Sequence, residues 1–408
     1  MDSKKLSATI AGHLCLDITP LFARKDAIDD IRQMLAPGKL VNMDGVSVST
    51  GGVVSNTGVS MAVLGIDVLS VAKVGDDSFG KAILDVLEPH GAHRGIKIVP
   101  GKQTSYSVVL TLPGMDRIFL HDPGLNHSFC SDDLDYNRVA QTRWFHYGYP
   151  TLMRSMYQNK GVELVKMFKK VKETGVPTSL DMTPPDPSGE AGKLDWVQIL
   201  TDTLPFVDIF MPSVEEALYM LDRPTFDTLN SQSQSGDLLE NLNVETVRLL
   251  GQRILDLGSK AALIKCGKLG MYLRTSDART MSSLPDELFG SAQERETGWT
   301  NRELFEETFT VSDFASATGA GDAAIAGFLA SILYGKNAAD SLKIACAVGA
   351  QNCTDFTAFG GIKPYSFTEK FIRDQTTQKN TLALDTQCWR YDSANRTWLG
   401  RLDKNFNI

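Results

Sequence analysis

Apolar and polar positions follow two rhythms along this chain. Short, nearly continuous apolar runs occur at "ATIAGHLCLDI" (8–18), "VLSVAKVG" (68–75), "WFHYGY" (144–149), "PTSLDM" (177–182), "VDIFM" (207–211) and "AALIKC" (261–266). Such runs predict strands buried on both faces, as in parallel sheets covered by helices. Between them lie segments with helical spacing: "VVSNTGVSMAVLG" (53–65), "SFGKAILDVLEPHG" (78–91), "KGVELVKMFKKVKETG" (160–175) and "VETVRLLGQRILDLG" (244–258). The alternation predicts an α/β fold with a doubly wound sheet.

Three kinds of segment break the rhythm. "TSYSVVLTLPGMDRIFLHD" (104–122) places two strand-like runs around the turn signal "PGMD" and predicts a β-hairpin. With a further strand near 40–50, it forms a candidate lid. Residues 223–243 and 275–307 are polar and are expected to be surface insertions. From Pro364 to the end the chain is polar with scattered aromatics, a C-terminal extension (364–408) that packs back on the body or serves an interface such as a homodimer's.

Composition narrows the function. The net charge of −8 argues against bulk attraction to nucleic acid or an anionic membrane. Six scattered cysteines without a CxxC pair point to a reducing compartment and no disulfide framework. The histidines form no HxxxH or HExxH pattern, so a built-in zinc site is not expected. The N-terminal apolar stretch is broken by His13 and Asp17 and predicts a strand, not a signal peptide. The longest apolar run is too short to span a membrane, so a cytoplasmic location is expected.

The chemistry concentrates in "ASATGAGDAAIAGFLASIL" (315–333). Ile325, Phe328, Leu329, Ile332 and Leu333 form a core-facing helical stripe, and Gly335 suits the helix stop. Thr318 to Asp322 therefore sit at a helix N-terminus, where backbone N–H groups lack intrahelical partners and the helix end is partly positive. With glycines allowing close approach, this suits a phosphate. Asp322 beside it has two readings: a base that takes a hydroxyl proton during phosphoryl transfer, or a helix cap. Near the other end, Gly51 and Gly52 precede a helix with Asn56 one turn on. Asn56 offers a donor and an acceptor for a sugar hydroxyl, or is simply exposed at a helix entry.

"ATGAGDAAIAGF" and "GGVVSNTGVSMAVLGIDVLSVAKVGDDSFG" (51–80) resemble, in order, the second and first signatures of the ribokinase-like, or PfkB-type, carbohydrate kinases. The resemblance covers roughly residues 8–363. It implies a three-layer α/β/α domain over 1–363, with a mostly parallel central sheet and a small β lid. It also implies ATP with Mg²⁺, and a small sugar or sugar-like alcohol as acceptor. Asp322 would be the catalytic base, and Gly319, Ala320 and Gly321 the anion hole. Asp17, Gly51, Gly52 and Asn56 would hold the acceptor, Asp17 from the end of the first strand.

On the nucleotide side, Lys265, Gly267 and Gly270 in "IKCGKLGMYLR" resemble the family's nucleotide loop, although a tight turn between strands has the same composition. Glu216 in "MPSVEEALYM" is the magnesium-side candidate. The family's usual Asn-x-x-Glu is here Ser213-x-x-Glu216, which is also a capping box. Ser316 stands where family members commonly carry an Asp that helps hold a monovalent cation, which counts against potassium dependence. Two rivals stay open: a nucleoside kinase of the adenosine type, and a catalytically silent sugar- or nucleotide-binding protein of the same fold. A dinucleotide oxidoreductase is disfavoured because no GxGxxG follows the first strand.

Overall fold

In the computed structural model, which describes residues 7–24, 26–115, 117–233, 236–374 and 384–407, neighbouring residues of the apolar runs enter two different cores. Sixteen strands are formed by the described residues: β1 (Ser7–Gly12), β2 (Cys15–Phe22), β3 (Met43–Gly51), β4 (Asp67–Val71), β5 (Lys73–Gly75), β6 (Lys97–Val99), β7 (Tyr106–Leu110), β8 (Ile118–Asp122), β9 (Phe145–Gly148), β10 (Thr178–Asp181), β11 (Ile209–Phe210), β12 (Ala261–Lys265), β13 (Gly270–Thr275), β14 (Glu303–Glu307), β15 (Trp389–Asp392) and β16 (Thr397–Gly400). On β12, Ala261 and Leu263 join one core while Ala262 and Ile264 join the other. This period of two is what a strand covered on both faces requires.

Ten strands make the main sheet, in the order β15-β16-β14-β13-β12-β11-β10-β9-β1-β4. The pairs from β4 to β12 are parallel, and those from β13 onward are antiparallel. Helices Val53–Val63, Ala320–Leu333 and Ala338–Asn352 contribute to one core. Helices Arg154–Glu173, Trp196–Thr203, Val214–Leu221 and Val244–Asp256 contribute to the other. The result is the three-layer arrangement expected.

A separate sheet of order β3-β2-β7-β8 contains the hairpin and the 43–51 strand. In the hairpin Leu110 pairs with Ile118. Asp116 of its turn lies outside the described residues.

Four expectations need correction. The 8–18 run is two strands, because the chain leaves the main sheet at His13–Leu14 and enters the small one. Both halves are apolar, so periodicity carries no mark of the crossing. Asp17 is therefore inside β2, not at the end of the first strand. The 68–75 run splits likewise, with β5 pairing β6 in a third, two-stranded sheet.

The two polar segments are not wholly surface. Residues 223–243 contain the helix Arg223–Gln232 and bury Leu229, Leu238 and Leu242. Residues 275–307 form three short helices and then β14, burying Met281, Leu284, Phe289 and Trp299. Averaged polarity hides a few well-spaced apolar anchors. The described part of the C-terminal extension packs back on the body: β16 pairs with β14, and the buried Arg302 Nε donates to Asp403 at 2.8 Å. Among the described residues no helix is long and apolar enough to cross a membrane. All six cysteines are free.

Candidate active site

Parallel strands of a doubly wound sheet open a crevice at their C-terminal ends, where the strand order turns back on itself. Here β1 is flanked by β4 on one side and β9 on the other. His13 follows β1, Tyr149 follows β9, Asp181 ends β10 and Lys265 ends β12. The helix Ala320–Leu333 starts at the same edge, as its contacts with Lys265 and Tyr149 show.

Asp322 lies in the first turn of that helix and is only 5 % exposed. It is not a helix cap. The N-cap residue is Gly319, held at φ 71. The Asp322 carboxylate instead accepts from three side chains: Asn56 Nδ2 (3.1 Å), Thr57 Oγ1 (3.2 Å) and Tyr149 Oη (2.7 Å). A carboxylate offers about four lone-pair sites, so one remains for a further donor. Burial and the adjacent Asp322 charge hold the Tyr149 phenol protonated, well above its ordinary range.

The turn before Asp322 is braced from several sides. Thr318 N–H donates to Ser316 Oγ (3.0 Å), and Asn352 Nδ2 donates to the Thr318 carbonyl (2.7 Å). Ser316 thus has a structural use of its own. Arg117, beside β8 of the small sheet, donates to Thr318 Oγ1. Ala320 N–H is committed to the Ala317 carbonyl (3.2 Å), so the three amides of Gly319, Ala320 and Gly321 are not equivalent.

Lys265 lies next to this turn. A Cβ placed on Gly321 would sit 3.5 Å from Lys265 Cδ and 4.0 Å from its Nζ. The ammonium pairs with Asp181 at 2.5 Å. Both groups are largely buried, and Glu216 and Asp322 act on the same lysine. Burial pushes Asp181 up to about 6, with Lys265 opposing and Asp322 adding to the shift. Burial pushes Glu216 up to about 8, again opposed by Lys265.

The Ser213–Glu216 capping box is fully formed: Ser213 N–H donates to Glu216 Oε2 (2.6 Å), and Glu216 N–H donates to Ser213 Oγ (3.2 Å). Gly267 opens a short turn after Lys265, and Gly270 packs against β14. A Cβ on Gly270 would fall 2.1 Å from the Glu306 carbonyl oxygen, so strand packing alone requires that glycine.

On the opposite side Asp17 faces the small sheet's inner strands. It pairs in register with Ser49 and Ser107, and Cys15 Sγ lies 3.3 Å from its Oδ1. Burial raises its pKa. Gly51 makes room for it: a Cβ there would lie 2.3 Å from Asp17 Oδ2. Gly52, at φ 91, starts the helix that carries Asn56 and Thr57.

The structure therefore brings Asn56 onto Asp322, Lys265 onto the Gly319–Gly321 turn, and Glu216 into the electrostatic field of Lys265. Thr57, Tyr149, Asp181 and His13 were missed by sequence reasoning. Their shared signal is position: three of them sit at or just past the C-terminal end of a parallel strand, and Thr57 adjoins Asn56. Asn126, near the same crevice, clamps Leu14: its Nδ2 donates to the Leu14 carbonyl at 3.0 Å. Among the described residues no group of three or more His, Cys, Asp or Glu side chains is arranged to hold a metal alone.

Comparison with known proteins adds three kinds of likeness. The family model described as pfkB family carbohydrate kinase matches residues 26–360. A sugar kinase of Archaeoglobus fulgidus, itself described as uncharacterized, is 23% identical over 299 residues, covering 73% of this chain and 96% of that protein. The probable fructokinase-3 of Arabidopsis thaliana is 22% identical over 348 residues, covering 83% and 87%. Among solved structures, Arabidopsis thaliana ribokinase complexed with ribose and ATP superposes with a TM-score of 0.66 at 18% identity, over 90% of this chain and 99% of that one. A fructokinase with bound ATP from Xylella fastidiosa gives 0.66 at 18%, over 91% and 100%. At such identities these two show a shared fold.

Proposed function

The chain belongs to the pfkB family of carbohydrate kinases, and from that premise we propose that it transfers the γ-phosphate of ATP to a hydroxyl of a sugar or sugar-like alcohol. The observation that carries this reading is the buried Asp322 carboxylate, fixed by Asn56, Thr57 and Tyr149 with one lone-pair site left over. Two sequence motifs more than two hundred residues apart meet at that one group. A carboxylate kept so far from water, yet oriented by three donors, suits proton abstraction better than structure alone.

In this mechanism Asp17 and the Asn56 amide orient the acceptor beneath the small sheet, which acts as a lid. Asp322 takes the hydroxyl proton as the oxygen bonds to the γ-phosphorus, and the bond to the departing ADP oxygen breaks. The amides of Gly319 and Gly321 hold the charge of the migrating group, with Lys265 beside them. Ala320 contributes its amide only if the bond to Ala317 opens. Arg117 and Thr318 join lid to turn. Gly267 and Gly270 shape the loop proposed to lie against the nucleotide.

Magnesium, when bound, would offset the charge of the transferred phosphates. The residues present fit that use. Glu216 spends one carboxylate oxygen on the Ser213 amide and sits in an acidic pocket with Asp181, so it would hold a magnesium-bound water. A metal cage made by protein alone is not needed, because magnesium usually takes one or two carboxylates plus phosphates.

The test is a panel of sugars, sugar alcohols, sugar phosphates and nucleosides with ATP and magnesium, read as acceptor-dependent ADP release. One sugar or sugar-alcohol class is expected to respond. Ligand-dependent melting shifts without ADP release from any acceptor would overturn the kinase reading.

Asp17→Ala is expected to weaken acceptor binding while ATP binding stays near that of the unchanged protein. Each lost hydrogen bond to a charged group costs about 1.5–3 kcal/mol. Calorimetry with each ligand separately checks this, and unchanged acceptor affinity would remove Asp17 from the site.

A further inference from the structure

His13 lies at the crevice, and the proposed mechanism leaves it unused. It sits in the two-residue link between β1 and β2, and the link is fixed from both sides. The His13 carbonyl accepts from Val54 N–H (3.2 Å), and Leu14 exchanges backbone bonds with Asn126 (3.4 and 3.0 Å). The imidazole is 2 % exposed. It lies over Gly52, where an added Cβ would fall 2.6 Å from His13 Nδ1. That contact explains the glycine independently of its positive φ.

The ring lies near groups of both halves of the proposed acceptor site. Its centroid is 6.2 Å from Tyr149, whose hydroxyl bonds Asp322, and 5.3 Å from His121 of β8. His121 Nδ1 pairs with Ser107 Oγ at 2.9 Å, and Ser107 is the register partner of Asp17. Yet neither ring nitrogen of His13 has a hydrogen-bond partner among the described residues. Buried polar atoms are normally paired, and leaving them unpaired is unfavourable. If packing were the only demand here, phenylalanine would serve better. Asn56 Oδ1, on the same amide that donates to Asp322, is a further buried atom with no partner among the described residues.

Resting on the kinase reading above, we propose that His13 is an acceptor-recognition residue whose ring nitrogens hydrogen-bond hydroxyls of an uncharged polyol, the side-chain carbonyl of Asn56 taking another. Burial lowers the His13 pKa to about 3, with His121 and His127 adding to the shift. The ring is therefore neutral, with one donor and one acceptor nitrogen. A hydroxyl, which both donates and accepts, can answer either nitrogen. A phosphate or carboxylate could not: it accepts only, and it would face Asp17, which burial raises against the opposing hydrogen bonds of Cys15 and Ser107, with no cation among the causes.

His13→Phe tests this, because it keeps an aromatic ring and deletes only the nitrogens. The ligand is the tightest binder in a calorimetric panel of unphosphorylated sugars, sugar alcohols and sugar phosphates. The variant should melt at or above the temperature of the unchanged protein and bind ATP equally. Its acceptor affinity should fall about 10-fold or more. Deoxy analogues sharpen the test: removing a hydroxyl read by His13 should weaken binding to the unchanged protein and no longer matter to the variant. His13→Gln, which keeps a donor and an acceptor, should recover part of the affinity, and it serves if the ring exchange fails to fold.

Unchanged acceptor affinity, or unchanged deoxy penalties, overturns the assignment, as does a sugar phosphate as tightest binder or a panel with no binder. Failure of the kinase reading looks different. Tight polyol binding sensitive to His13→Phe, without ADP release, would remove catalysis and leave the recognition role standing.

Discussion

Asp322→Asn is expected to lower turnover by ~10²–10⁴, the usual loss when a general base is removed, while the fold and ATP affinity persist. The geometry explains why this exchange is cleaner than Asp322→Ala. An amide oxygen in the place of Oδ2 still accepts from Asn56 Nδ2 and Tyr149 Oη, and the amide NH₂ in the place of Oδ1 can donate to Thr57 Oγ1 after its hydroxyl rotates. All three neighbours stay satisfied. Alanine would leave them unpaired in a buried site, at about 1–3 kcal/mol each. Urea unfolding, ATP calorimetry and single-turnover kinetics on the best acceptor separate the outcomes. Near-normal turnover by Asp322→Asn would reduce the carboxylate to a packing group that holds the helix Val53–Val63 against its neighbour.

The residues that were legible in the sequence are those whose chemistry is local. A helix beginning at Gly319 follows from the apolar stripe of Ile325, Phe328 and Leu329, so the order of residues alone locates Asp322 at its mouth. The Ser213–Glu216 box is equally local, since its partners are three residues apart. The parallel strands of the main sheet could be placed from their apolar runs, because burial on both faces writes itself into consecutive residues, whereas β14, β15 and β16 were not.

What was not legible depends on distance or on changes of sheet. The crossing from β1 to β2 at His13 leaves the apolar run unbroken, so Asp17 was misplaced by one strand. Tyr149 and Asp181 look like ordinary strand-end residues until β9 and β10 bring them beside the Ala320–Leu333 helix. The segment 275–307 read as surface because its buried anchors, Met281, Phe289 and Trp299, are diluted by charge. Each failure has the same origin: composition averages over neighbours in sequence, whereas burial counts neighbours in space.

Lys265→Met should be the most destabilising of the exchanges considered, and its effect should depend on pH. Lys265 is the ion-pair partner of Asp181, and it opposes the burial of both Asp181 and Glu216. Removing one member of a buried pair typically costs about 3–5 kcal/mol, because the other charge is left uncompensated. The sign with pH follows from the carboxylates. Both are held above their ordinary values, Asp181 at about 6 and Glu216 at about 8, so the folded protein binds more protons than the unfolded chain between roughly pH 4 and 8. Stability of the unchanged protein should therefore fall as pH rises through that window. Without the lysine both groups shift further up, so the deficit of Lys265→Met should be small near pH 5 and large at pH 8. A deficit independent of pH would show that the lysine matters for packing alone.

The double exchange Lys265→Met with Asp181→Asn then distinguishes stability from catalysis. Replacing both members of a buried pair by neutral groups is often neutral for stability, so the double variant should recover most of what the single one lost at neutral pH. Turnover should not recover. Lys265 Nζ lies beside Gly321, where the migrating phosphoryl group is proposed to sit, and loss of one such charge-stabilising group costs about 10²–10³ in rate. A double variant that regained both stability and turnover would confine Lys265 to neutralising Asp181, and the charge on the phosphoryl group would then rest with the backbone amides of the helix N-terminus.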